Sequence, residues 1–446
     1  MEKNCLESTA APDFDVVIVG AGVAGCVAAI ELAKQDYSVA LIERGETPGA
    51  KNLSGGIFYT RVMEEVIPDF LRTAPLERAI TTNNLSFLNK ESAVTISYQD
   101  TRLQDPVNAV SVLRAKLDPW LAEQAEEAGV LVMPGVKVDE LLIEEGQICG
   151  IRAGDEEVRA HITILADGVN SFLATAAGIR SKAPNSALAL GIKSVIEIGE
   201  KAIEERFHLD STATTSGLPN GAAFSFLGDA TCGGAGGGFL YTNKESLSLG
   251  VVLRLDDLVK KELSAPDIHD YFFNHPALAP YIKDGKVLEY GCHLTIEDAP
   301  NLTAQKLYAP GLLIIGDAAG FTLNTGIAIR GMDLAAESAR CAAQAAHTAL
   351  VKEDFSAASL RSYQNFIDES WLGKDLATYR RAPQFFENER LYRDYGKFLG
   401  DTFFDLYSLD LQPHRPLRQV VMNNLQKSGI KMTTLIKDAF RAGRAL

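Results

Sequence analysis

The sequence predicts an α/β protein. A parallel sheet is assembled from segments far apart in the chain, an antiparallel sheet is inserted between them, and the C-terminal region is helical. Three observations predict this. The apolar run Val16–Val19 leads straight into G-x-G-x-x-G at Gly20, Gly22 and Gly25. Two later segments, HITILADGVNS and IIGDAAGF, repeat the pattern of an apolar strand ending at an Asp. Between them lie alternating segments broken by short polar turns, and after Asp354 the pattern turns helical.

The first element is the strand through Val16–Val19, apolar throughout as a strand buried on both faces must be. Gly20 permits the tight turn, Gly22 lets backbone approach a pyrophosphate, and Gly25 lets the following helix lie close to the strand. That helix, from about Val23 to Lys34, aims its positive end at the phosphate. A second strand, Ser38–Ile42, ends at Glu43, 23 residues after Gly20, where an acid suits the ribose hydroxyls of an adenine dinucleotide. Strand, glycines, helix and acid together make a strong signal for a Rossmann-like dinucleotide site. They do not by themselves distinguish FAD from NAD.

The Asp167-Gly168 and Gly316-Asp317 segments resemble the later motifs of the FAD-binding domain of aromatic-hydroxylase-like flavoproteins. That resemblance implies FAD, with Asp317 at the ribityl chain and a helix from about Gly326 to Leu350 directing its N-terminus at the isoalloxazine ring. A long cofactor needs binding groups at both ends, which explains an isolated Asp317 so far from Gly20. The segments 43–59, 112–130, 164–171, 236–252 and 316–335 further resemble the electron-transfer-flavoprotein:quinone oxidoreductase family, closest to its FixC branch. The likeness runs over nearly the whole chain. It implies that Gly20, Gly22, Gly25, Glu43, Arg44, Arg114, Asp167, Gly168, Gly316, Asp317 and Gly326 serve FAD, and that Lys51, Asn52, Ser54, Gly55 and Gly56 form a loop beside the flavin. It also implies that Gly237, Gly238, Phe239, Leu240 and Tyr241 line a quinone pocket.

The implied function is electron transfer. FAD takes electrons from an electron-transfer flavoprotein and passes them to quinone or to a small ferredoxin-like partner. Longer family members carry a four-cysteine cluster. Here the six cysteines lie more than 20 residues apart and end at Cys341, so no iron–sulfur cluster is expected in this chain. No Ser/His/Asp arrangement and no metal-ligand spacing stands out. Alternatives are a geranylgeranyl-reductase-like enzyme, an aromatic hydroxylase, and a non-catalytic subunit stabilised by FAD.

Hairpins are expected where Leu85–Phe87 and Val94–Tyr98 flank a polar turn, and where Phe239–Thr242 and Leu247–Leu255 flank another; Gly191–Ile198 adds a strand. The expected division is a discontinuous FAD domain (13–80, 105–180, 305–353), an antiparallel substrate sheet (81–104, 185–304) and a helical C-terminal region (354–446), with 181–189 as a linker. The net charge of −15 argues against nucleic-acid binding. The longest uncharged apolar stretch, Val16–Ile30, is short and glycine-rich, and the N-terminus has no cleavage-type pattern, so a cytoplasmic protein is expected. The tail from Arg415 to Leu446 carries a net +6, with Leu425, Met432, Leu435, Ile436 and Phe440 among its charges. It reads as a peripheral membrane contact, as a dock for an acidic ferredoxin, or as a helix packed on the core.

Overall fold

The computed structural model describes residues 11–50, 52, 55–210 and 217–446. Lys51 and Ser54, expected near the flavin, lie outside them.

Five parallel strands run through the first sheet, in the order Leu312–Ile314, Glu156–Leu165, Phe14–Val19, Val39–Glu43 and Leu131–Pro134, with Tyr308–Ala309 antiparallel at the Leu312–Ile314 edge. Val16 sits between Ile162 and Val39, and Leu165 opposite Ile314. The last segment to enter the sheet thus ends beside strands made from the first 165 residues. An antiparallel meander, Glu140–Glu144 and Gln147–Ala153, extends the Glu156–Leu165 strand. Helices Val23–Ala33, Arg114–Glu127 and Met332–Lys352 share one apolar core with this sheet. The last is alanine-rich on its buried side, which lets its axis approach closely.

Among the described residues the second sheet has nine strands. Its order is Lys286–Ile296, Leu188–Glu197, Ser246–Arg254, Gly236–Thr242, Asn220–Gly228, Leu76–Leu88, Ala109–Val112 and Gly56–Tyr59, with Ala93–Gln99 paired to Leu76–Leu88. Both expected hairpins form, with Leu85 opposite Ile96 and Thr242 opposite Leu247. The sheet is mixed rather than purely antiparallel: Asn220–Gly228 runs parallel to Leu76–Leu88, because the chain reaches it by a long connection rather than a hairpin. One face packs on helices Glu200–Phe207 and Ala265–Phe273 around Phe224, Phe226, Leu240, Leu249 and Phe272. The other face looks back toward the first sheet.

The expected boundaries shift accordingly. Gly56–Tyr59 and Ala109–Val112 fall within the segments assigned to the FAD domain, yet pair in the second sheet, and Leu76–Leu88 crosses the expected boundary at 80. The expected linker shortens to Ser181–Pro184, because a 3-10 turn starts at Asn185 and a strand at Leu188. The expected helix from Gly326 begins instead at Met332. A small hairpin, Leu323–Asn324 with Ile329–Arg330, comes first. Its turn holds Gly326 at φ +74°; there the Thr325 N–H donates to the Ala328 carbonyl (3.0 Å) and the Ala328 N–H donates to the Thr325 Oγ1 (3.0 Å).

After Glu353 the described chain is helical. Ser362–Glu369 docks through Tyr363, whose buried hydroxyl donates to the Ile314 carbonyl (3.0 Å). Ala382–Phe386 and Arg390–Arg393 pack with Leu446, and Leu425 and Ile430 pack on Phe398.

Candidate functional site

A cleft of about 850 Å³ runs between the two sheets. At one end are Gly20 and Gly22. The Gly20 N–H donates to the Ile42 carbonyl (2.7 Å), and its φ of +106° brings it against the Glu156–Leu165 strand; a Cβ there would lie 2.3 Å from the Ala166 oxygen. A Cβ on Gly25 would lie 1.8 Å from the Gly20 oxygen, so glycine is what lets the helix cross the turn. A Cβ on Gly22 would meet only Arg114, at 3.5 Å. The Val23–Ala33 helix has no side-chain cap and no acid in its first turn, which leaves its N-terminal dipole to the cleft. Glu43 ends the second strand. Its Oε2 accepts from the Ala21 N–H (3.0 Å) and its Oε1 from the Gly45 N–H (2.6 Å), which fixes the carboxylate at the cleft wall. Arg44 is exposed at the rim.

Midway along, Arg114 opens its helix and is gripped by Asp118 one turn later, Nε to Oδ1 at 2.6 Å and a terminal nitrogen to Oδ2 at 2.7 Å. Asn52 donates to the same Oδ2 (2.7 Å), and Gly49, at φ +80°, would bring a Cβ within 2.7 Å of Asp118. Gly49 and Asn52 thus both lie against a buried carboxylate. Burial works against the Arg114 charge, but Asp118 and then Asp317 more than offset it. Gly55 reaches the second sheet, where a Cβ would meet Ser248 at 2.2 Å, and Gly56 lies against Met332.

Asp167 and Asp317 follow their strands into the cleft. Burial pushes the Asp167 carboxyl up; its Oδ2 accepts from the Leu173 N–H (3.2 Å), and its buried Oδ1 has no partner among the described residues. Burial also raises Asp317, while Arg114, His293 and Lys193 pull it back. Gly316 reaches φ +59° under the long helix, with its N–H donating to Ser338 Oγ (3.0 Å). Gly168 and Gly326 line the same cleft, Gly326 beside Phe386. Near the start of the long helix, Arg330 pairs with Asp333 and Asp375, both at 2.6 Å, and lies over Tyr59 and Trp371.

The second sheet forms the opposite wall. Gly237, Phe239 and Tyr241 share one face of their strand, with the two rings stacked 4.9 Å apart. Gly238 points the other way, and a Cβ there would strike Phe272 at 2.2 Å, so this glycine serves the core behind the sheet. The sequence reading missed several cleft residues. Lys193 and His293 come from strands that no motif marks. Glu297, pushed up to about 7 by burial, stands at the far end with Tyr392. Asp118 alone had a signal, its four-residue spacing from Arg114 on one helix.

The donor set fits FAD. Glycines that no side chain could replace shape one end, an uncapped helix N-terminus faces it, and a buried Asp167 oxygen stands unpartnered in the middle. Comparison with known proteins agrees. Residues 15–100 match the FAD-dependent oxidoreductase family model, and 382–446 match the ETF-QO/FixC family C-terminal domain. Escherichia coli YdiS, described as a probable electron transfer flavoprotein-quinone oxidoreductase, is 41% identical over 97% of this chain and 99% of its own. FixC of Salmonella typhi is 40% identical over 96% and 98%. Among solved structures, a geranylgeranyl bacteriochlorophyll reductase-like protein of Thermoplasma acidophilum shares the fold (TM-score 0.69, 19% identity, 96% of this chain and 99% of that one). The flavin-dependent brominase Bmp2 shares it at TM-score 0.61 and 17% identity, over 96% and 98%. The chain is an FAD-dependent oxidoreductase and belongs to the electron-transfer-flavoprotein:quinone oxidoreductase/FixC family.

Proposed function

We propose that this chain relays electrons from an electron-transfer flavoprotein to quinone or to a small ferredoxin-like partner. The observation that carries the reading is continuity: one cleft joins the Gly20–Glu43 cradle to the Gly237–Tyr241 wall. Glu43 would hold the adenosine ribose, the Val23–Ala33 helix the pyrophosphate, and Asp317 the ribityl chain. Arg114, steadied by Asp118, would sit beside them as a fixed positive charge. Bound FAD supplies the reversible two-electron uptake that these side chains lack. The protein's part is to bind and orient it and to limit water. Any iron–sulfur centre belongs to the partner in this reading.

Among the described residues no helix is long and apolar enough to cross a membrane. The Met432–Ala445 helix instead supports a peripheral contact with the cytoplasmic face. Ile436 and Phe440 are 61% and 63% exposed, with exposed Lys437, Arg441 and Arg444 around them.

The test is anaerobic mixing of flavin-loaded protein with the reduced cognate electron-transfer flavoprotein. Bleaching of the flavin absorbance, reversed on adding a quinone analogue or the cognate ferredoxin, is expected, with no iron in the protein. Repeating the assay with anionic vesicles should sediment the protein at low salt and release it at high salt. A flavin that no electron-transfer flavoprotein reduces would overturn the relay.

A further inference from the structure

The wall of the cleft on the second sheet has a composition that the FAD cradle does not explain. Lys193 lies directly opposite Gly250 on one side and Gly291 on the other, and Gly250 in turn lies opposite Phe239. Directly paired residues share a face, so Lys193 and Phe239 project into the cleft with only a bare glycine between them. The Phe239 ring covers that glycine, for a Cβ on Gly250 would stand 2.3 Å from it, and the Lys193 ammonium lies 5.7 Å from the ring centre. One row along, the order alternates the other way: Gly237, Val252, Gly191 and His293. The result is a low floor at Gly191, beside Val252, edged by an aromatic ring and a cation.

The cation is unusual in its solitude. No carboxylate among the described residues pairs with Lys193, and no acceptor there takes a hydrogen bond from it. The charged groups that face it are Asp317 from the turn after the Leu312–Ile314 strand and Arg114 from the helix beyond, with His293 on the neighbouring strand. An ammonium drawn into a cleft without a partner is costly unless a ligand oxygen completes it.

We propose that Lys193 is the recognition residue for the electron acceptor, donating a hydrogen bond to a carbonyl oxygen of a flat quinoid ring that lies on the Gly191 floor against Phe239. This rests on the relay reading above. Burial pushes Lys193 down to about 8, so the ammonium is charged at neutral pH and is lost just above it. The recognition therefore weakens as pH rises through that value.

The experiment uses flavin-loaded, full-length protein and menadione as probe, with the dissociation constant measured by calorimetry from about pH 6.5 to 9.5. Wild type should bind about tenfold more weakly at the alkaline end. Lys193→Gln should bind about tenfold more weakly at pH 7 and show no pH dependence, while Lys193→Arg keeps tight binding across the range. Gly191→Leu, which leaves Lys193 in place, should abolish binding by filling the floor. All three variants should keep a full complement of FAD. Lys193→Gln that binds menadione like wild type, or that loses FAD in step with binding, overturns the assignment. If wild type holds FAD yet binds no menadione at any pH, the quinone reading itself falls.

Discussion

The two walls of the cleft are built on opposite principles. The cradle around Gly20, Gly25 and Glu43 is made of backbone. Its glycines are pressed against neighbouring main chain, and its carboxylate is tied by two N–H groups. The wall around Gly191, Lys193 and Phe239 is made of side chains and the gaps between them. A Cβ on Gly191 would meet nothing nearer than 3.5 Å, although Gly237 on the same wall is pressed against the Phe226 oxygen (2.6 Å). A wall of backbone holds one ligand with little tolerance, and a wall of spaced side chains is open to retuning. This suits a fixed cofactor on one side and an exchangeable acceptor on the other.

Substitutions sharpen that contrast. Gly25→Val should have the largest effect. Its side chain has no space between helix and turn, so a loss of about 4 kcal/mol or more is expected, seen as a collapse of soluble, flavin-bearing protein. Asp317→Ala should come next. The chain should stay folded by circular dichroism, while FAD per chain after gel filtration drops to about a tenth or less, since a charge-assisted hydrogen bond is worth about 2 kcal/mol. A yellow variant with a full equivalent of FAD would remove Asp317 from the cradle. Gly191→Ala should have the smallest effect, under about 1 kcal/mol in thermal stability with FAD unchanged, because the added methyl makes only ordinary contacts. If Gly191→Ala proved as damaging as Gly25→Val, the distinction between the walls would fail.

The same contrast explains what could be read from the chain. Gly20, Gly22, Gly25 and Glu43 are legible because a strand, a turn and a helix follow one another, and each glycine answers a local steric demand. Asp167 and Asp317 are legible for the same reason, as acids at the ends of apolar strands. Lys193 and His293 are not, because only strand register brings them together with Phe239, and register depends on pairing partners far away. The sequence puts the start of the long helix at Gly326 and not Met332, because glycine and threonine suit both a helix entry and a hairpin turn. The deciding contacts, Thr325 with Ala328 and Gly326 against Phe386, include one about 60 residues distant. The segment assignments failed at Gly56–Tyr59 and Ala109–Val112 because a short apolar strand carries no label for the sheet it joins.

The position of the Leu312–Ile314 strand also has a meaning in time. It docks beside Glu156–Leu165, and the long helix that follows closes the same core as the first helix. During synthesis the first helix leaves the ribosome nearly 300 residues before the long helix that closes on it exists. At about 5–20 residues per second, that is a wait of roughly 15–60 s. Through it the side of the first helix that packs on the long helix has no permanent cover, although the Val16–Val19 strand gains both its sheet partners by residue 165. The first helix is thus made early and covered late, and one side of it stays open until residue 352 emerges.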